Sequence, residues 1–305
     1  MAAPDRGRLA PALALVVNAF VWGISWWPFR QLQAAGLHPL WATACIYIVS
    51  LVLLSIARPQ AWRGFAGQPQ LWLLMLAAGV TNVGFNWAVT VGDVVRVVLL
   101  FYLIPAWSVL LAWPLLGERP TAADLLRLVL ALGGVVVILH VPGNALPVPR
   151  TLADLLALAG GFSFALTNIL LRRLQGAPAE TRVGTMFAGG AMAAAAAGAM
   201  GLSQGVVTAP QLLPAAATGL ALLLSLGFLA GNVALQFGAS RLPAQTTALV
   251  MLCEVLFASV SAVLLGAAEL SANVWAGGAL VVAAAAWSAW DTPGSQPAAA
   301  PQSAA

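Results

Sequence analysis

Apolar runs long enough to cross a lipid bilayer follow one another along almost the whole chain, and polar residues are confined to the short breaks between them. The runs fall at 9–29, 38–57, 70–91, 97–116, 122–141, 152–171, 183–202, 212–237, 243–265 and 270–290. About 20 mostly apolar residues make a helix that spans the hydrocarbon layer. Lipid offers no partner to backbone N–H and C=O groups, so each run predicts a helix that satisfies its own backbone. The pattern therefore predicts an all-α membrane protein with ten transmembrane helices. Residues 292–305, rich in Pro, Ala, Ser and Gln, predict a disordered tail.

Composition supports the same class. Of the 305 residues 61% are hydrophobic and 7% charged, against about 25% charged in an ordinary soluble domain. Residues 183–240 contain no charge at all, which is room for two spans and a turn. Every basic residue is Arg, and the Arg are scattered between apolar runs, so the basic pI does not predict nucleic-acid binding. Basic Met1–Arg8 before an apolar stretch resembles a signal peptide. The stretch runs from Leu9 to Phe29, holds Trp22, Trp26, Trp27 and Pro28, and lacks a small-residue cleavage site near its end, so it predicts a retained first span. Cys45 and Cys253 both lie inside apolar runs and read as small buried hydrophobes.

Arginine placement predicts the orientation. With a cytoplasmic N-terminus, inner segments hold Arg6, Arg8, Arg58, Arg63, Arg119, Arg172, Arg173, Arg182 and Arg241, and outer segments hold Arg30, Arg96 and Arg150. That excess inside predicts both termini in the cytoplasm. Arg127, early in span five, can snorkel toward the same side. Thr121 with Asp124 and Thr151 with Asp154 predict helix N-terminal caps for spans five and six. Asp93 and Arg96 predict a mutual pair at the outer start of span four.

The chain also looks doubled. Pro105 to Gly117 in span four and Glu254 to Gly266 in span nine have equal spacing, and Thr121 with Gly133 matches Ser271 with Ala283 in the spans that follow. Five spans is an odd number, so a second copy enters the membrane inverted. The expected organisation is a repeat at 1–145, an inverted repeat at 146–291 and the tail at 292–305. Inverted repeats place a substrate site near the midplane where the halves meet.

At this point the residues match a family. Trp22-Gly23 in span one, Pro105 in span four, Gly117-Glu118-Arg119 after it and the paired repeat resemble the drug/metabolite transporter superfamily, EamA branch. Within it, the chain is similar to the bacterial aromatic amino acid exporters of the YddG type. The resemblance implies a ten-span, five-plus-five inverted repeat, cytoplasmic termini, a large central cavity and a place in the bacterial inner (plasma) membrane. Two departures from the family pattern are Glu254 where Pro is usual, with Cys253 before it, and Gly266-Ala-Ala-Glu269 in place of a tight Gly-Glu.

Candidate site residues are the polar and aromatic groups at mid-depth. Glu254 is the only charge between Leu242 and Leu265. Centring a charge in a bilayer costs about 2.5–3.5 kcal/mol on insertion scales, so intramembrane ionisable groups are functional candidates. Glu254 fits three roles: a coupled proton site, an acceptor for a substrate ammonium, or a neutral carboxyl bonded to a neighbouring helix. Asn82 and Asn86 lie one turn apart in span three, as do Asn232 and Gln236 in span eight, and Asn18 and Asn168 occupy spans one and six. These amides fit either a substrate lining or interhelical hydrogen bonding. Trp22, Tyr102, Trp107 and Phe162 fit an aromatic-friendly cavity wall or ordinary packing. Trp41, Trp72, Trp113, Trp287 and Trp290, and His38 and His140, fall near span ends and read as interfacial. Gly227 and Gly231 form a small-residue packing face.

With no mid-membrane cation, an amino acid is a better expected substrate than a phosphorylated sugar. No metal-ligand set, Ser–His pair, phosphate-cradling loop or repeated filter motif is present in the sequence, so the expected function is neither enzyme nor channel, with no cofactor. The expectation is an exporter of aromatic or bulky hydrophobic amino acids by alternating access. The alternative is a transporter of another neutral or cationic metabolite or drug.

Overall fold

The computed structural model describes residues 6–62, 65–116, 122–140, 149–174, 176–239, 250–251, 253–267 and 271–290. Among these residues there is no strand. The helices are α1 (Arg6–Ile24), α2 (Trp26–Ala34), α3 (Pro39–Ala57), α4 (Pro69–Val91), α5 (Val94–Phe101) and α6 (Ile104–Leu116). They continue with α7 (Ala122–Leu139), α8 (Leu152–Arg173), α9 (Ala179–Ser203), α10 (Ala215–Ala239), α11 (Cys253–Leu264) and α12 (Ala272–Trp290). Every predicted run carries helix. Among the described residues, six segments are long and apolar enough to cross a membrane: Leu9–Ala34, Pro39–Ala57, Pro69–Val91, Leu152–Leu171, Ala179–Ser203 and Ala215–Leu235. Cys253–Leu264 and Ala272–Ala284 are shorter apolar helices.

Two predicted spans are broken in the middle, and proline accounts for both breaks. Pro28 has no N–H to offer the carbonyl four residues back, which is Ile24, the last residue of α1. The turn at Ser25 is closed by its own hydroxyl, which donates to the Trp22 carbonyl at 2.8 Å. Pro105 stands in the same relation to Phe101, the last residue of α5. The freed Phe101 carbonyl lies against Gly161 of α8, where a Cβ would collide with it, so only glycine fits.

The helices interlock across the sequence. α4 packs on α8 and α9, α3 on α9 and α10, α1 on α10 and α11, α5 on α8 and α11, and α7 on α12. Each of these contacts joins a helix from before residue 140 to one from after residue 150. One apolar core gathers Phe85, Leu100, Phe101 and Ala258; a second gathers Phe29, Ile46, Phe187 and Phe228.

Caps fix the N-terminal starts of two helices. Thr151 Oγ1 accepts from the Asp154 amide at 3.1 Å while the Asp154 carboxylate accepts from the Thr151 amide at 3.3 Å, which closes the capping box predicted for α8. Asp93 caps α5 by accepting from the Arg96 amide at 2.8 Å. The expected Asp93–Arg96 side-chain pair is replaced by a longer-range one. Arg96 Nε donates to Asp154 Oδ1 at 2.7 Å and its Nη2 donates to Oδ2 at 3.1 Å, because a carboxylate facing across from α8 meets the guanidinium fork squarely. The Gly117-Glu118-Arg119 motif, the Thr121 cap, Arg241, Glu269 and the tail at 292–305 lie outside the described residues, as do the side chains of Asp124, Arg127, Arg172, Trp113, Trp290 and Gln236.

Candidate functional site

The group at Glu254 is built by one helix break and a helix facing it. α6 begins at Ile104 because Pro105 cannot continue α5, and this leaves Tyr102 in the break. Across from it, Glu254 lies on α11 (Cys253–Leu264). Tyr102 Oη donates to Glu254 Oε2 at 2.8 Å and also lies 3.1 Å from the Met251 carbonyl. Both side chains are buried, Tyr102 at 8% and Glu254 at 6% exposure. On the α1 side, Asn18 Nδ2 lies 3.4 Å from Met251 Sδ, and its buried Oδ1 has no partner among the described residues. Gly23 lets α1 approach this wall: a Cβ there would stand 2.7 Å from Phe257 Cβ and 2.9 Å from the Glu254 carbonyl. Trp26 Nε1 donates to Ser261 Oγ at 2.9 Å and ties α2 to the same helix.

A second polar group lies between α3 and α4. The Tyr47 hydroxyl donates to Asn82 Oδ1, and Asn82 Nδ2 donates to the Ala78 carbonyl at 2.7 Å. Asn86 Nδ2 donates to Thr43 Oγ1 at 3.3 Å. All four side chains are buried.

Aromatic rings connect the two polar groups. Trp22 stacks on Phe228 with centroids 4.6 Å apart and planes 20° apart, and it meets Phe85 edge-on at 5.9 Å. Phe228 meets Tyr47 at 5.7 Å. Phe85 meets Phe101 at 4.7 Å, and Phe101 meets Tyr102 at 6.2 Å. A continuous file of rings thus runs from the Tyr47–Asn82 pair to the Tyr102–Glu254 pair through α3, α10, α1, α4 and α5.

The structure separates the remaining predicted residues from this file. Asn232 is buried, but its Nδ2 donates to the Phe228 carbonyl of its own helix at 3.1 Å. Its link to the Asn82 group is therefore through the Phe228 ring. Trp107 and Phe162 meet edge-on at 5.5 Å in a lateral groove between α4, α6 and α8. Asn168 is half-buried on α8, beyond Phe162. Gly227 and Gly231 face α1 at Val21 and Asn18. Sequence reading passed over Tyr47, Thr43, Phe85, Phe228 and Met251. Tyr47 had a usable signal: it is one of two tyrosines and falls mid-run in span two. The phenylalanines had none, because in an apolar run a ring facing a site and a ring facing lipid look alike.

Comparison with known proteins agrees with this architecture. Residues 9–140 match the EamA-like transporter family. The chain is 26% identical over 180 residues to an uncharacterized transporter of Vibrio cholerae serotype O1, a match that covers 56% of this chain and 57% of that relative. The chain thus spans just over half the length of the curated relative it matches. A crystal structure of a protein 19% identical in sequence superposes with a TM-score of 0.58, covering 92% of this chain and 96% of that one, which bears on the fold alone. Residues 9–140 are thus similar to the EamA-like transporters, and the described residues are all-helical with six segments long and apolar enough to cross a membrane.

Proposed function

We propose that the chain exports amino acids with aromatic or bulky hydrophobic side chains across a bacterial inner membrane by alternating access. The observation that carries this reading is the ring file with hydrogen-bonding groups at both ends. A ring-bearing substrate would take the place of a ring–ring contact such as Trp22 on Phe228, and a zwitterionic backbone would use the polar groups beside it. Asn82, Asn86 and Asn232 offer amides to its carboxylate, while Glu254, Tyr102 and Asn18 offer oxygens to its ammonium. The frame for the motion is the inverted repeat of residues 1–145 and 146–291, ten spans in all, with both termini cytoplasmic. The interlocked pairing of early with late helices supports this frame.

A second reading, export of another neutral or cationic metabolite or drug, is favoured by one observation. The Glu254 carboxylate is buried and its hydrogen-bond partner is a hydroxyl. A lipophilic cation would compensate that charge as well as an ammonium does.

Purified protein in liposomes, offered a panel of labelled amino acids with and without a pH gradient, tests both readings. Phe and Trp should move faster than Thr, and Trp22→Ala should weaken that ranking. Movement of a lipophilic cation alone would overturn the amino acid reading.

A further inference from the structure

We propose that the groove between α4, α6 and α8 binds a lipophilic, ring-bearing molecule with a single hydrogen-bond acceptor, taken laterally from the bilayer. The proposal is independent of the amino acid reading and needs only the membrane placement. The groove encloses about 480 Å³ and is lined by Leu76, Val80, Trp107, Ala159, Phe162 and Ser163 among others. That volume lies within the roughly 300–1,000 Å³ of ordinary small-ligand pockets. Its walls are apolar, and the Ser163 hydroxyl is already committed to the Ala77 carbonyl at 2.9 Å. The groove opens toward lipid: Leu76 is 62% and Phe162 41% exposed.

One group in the groove lacks its partner. Trp107 Nε1 is buried and has no acceptor among the described residues, while the edge-on contact with Phe162 holds the indole in place. An indole N–H only donates, so what is missing is an oxygen or nitrogen acceptor. Lipid does not supply one here. Val80 and Phe162 sit midway along α4 and α8, which puts them about 15 Å from the nearest interface in a hydrocarbon layer about 30 Å thick. Ester carbonyls stay at that interface, acyl chains carry no acceptor, and water is excluded at this depth. A flat or two-ring ketone, quinone or ether fills the walls with its rings and meets the indole with its oxygen.

Benzophenone, two rings and one carbonyl, is a suitable photoactivated probe for the full chain in liposomes. Labelling should saturate and should map to peptides carrying 73–80 and 158–166. Fluorenone should compete for it better than fluorene, the same skeleton without the acceptor, by about fivefold, the worth of one hydrogen bond. Trp107→Phe keeps a ring and removes the donor, so it should erase the preference for fluorenone. Ala159→Trp, at a lipid-facing position, fills the groove and should abolish labelling. Unsaturable labelling spread over other lipid-facing helices would mean that bulk acyl chains fill the groove, and equal competition by fluorene would mean that the indole N–H plays no part; either result overturns the proposal. Amino acid transport is read separately in the same liposomes, so its loss leaves this outcome intact.

Discussion

Glu254 and Tyr102 show how much a single hydrogen bond matters in lipid. A buried carboxylate without a partner carries its whole desolvation cost, and a hydroxyl donor at 2.8 Å offsets part of it. If Glu254 takes part in transport, Glu254→Gln should flatten the pH dependence of uptake into liposomes while expression and melting temperature hold. An unchanged profile would leave the residue structural. His38 offers a test at the residue just before the apolar segment Pro39–Ala57. Its Nδ1 accepts from the Leu40 amide at 3.2 Å and so caps α3, which requires the neutral ring. Burial lowers its pKa below the ordinary value of about 6.5. The unfolded chain therefore binds that proton more readily than the folded one. The contribution of the cap is complete above about pH 6.5 and fades as pH falls toward the lowered value. Between about pH 7 and pH 5 the melting temperature of the wild type should drop more than that of His38→Asn, whose cap does not titrate. An equal drop in both would remove His38 from the account.

At the scale of elements, two prolines and one glycine set the geometry around the site. Pro105 ends α5 at Phe101, which leaves Tyr102 free of the helix and able to reach Glu254. Gly161 accommodates the Phe101 carbonyl that this break releases. Gly161→Ala should therefore cost about 1–3 kcal/mol through overpacking, seen as a lower thermal midpoint, whereas Gly219→Ala on α10, where a Cβ meets nothing within 4 Å, should cost none. Asp154 serves two elements at once, capping α8 and holding Arg96 of α5. Asp154→Asn keeps a cap acceptor and loses the ion pair, while Asp154→Ala loses both. The alanine variant should fall further in thermal stability by about 1 kcal/mol, the usual worth of a cap. The cap at Thr151 could be read in the sequence as a Thr-x-x-Asp pattern, whereas the breaks at Pro28 and Pro105 could not, since Pro11 and Pro114 stand inside continuous helices. The Arg96–Asp154 pair could not, since 58 residues separate its members.

At the scale of the molecule, each helix of the early part of the chain packs against a helix of the late part. An inverted repeat would have this consequence, because each half then buries its apolar faces on the other rather than on itself. Alternating access would shift those shared faces against one another, and the Trp22–Phe228 stack, which joins α1 to α10, would be among the contacts to change. Ten spans require both termini on one face. Accessibility of tags at the two ends in sealed, inside-out vesicles should be the same for both; exposure of only one tag would exclude an even span count and the repeat with it.

The sequence alone determined the class of the molecule. Hydrocarbon imposes a length and an apolar composition on each helix, and both are written locally in every run. The α8 cap and the exceptional status of Glu254 were equally local, since each depends on residue type within about one helical turn. Only the tertiary structure decided what those residues meet. Tyr102 reaches Glu254 across 152 positions, Tyr47 reaches Asn82 across 35, and Trp107 faces a lipid-open groove rather than the ring file. The reason is physical. In lipid almost every helix face is apolar, so hydrophobic periodicity, which tells inside from outside in water, does not say which face of a span turns to a partner and which to the bilayer.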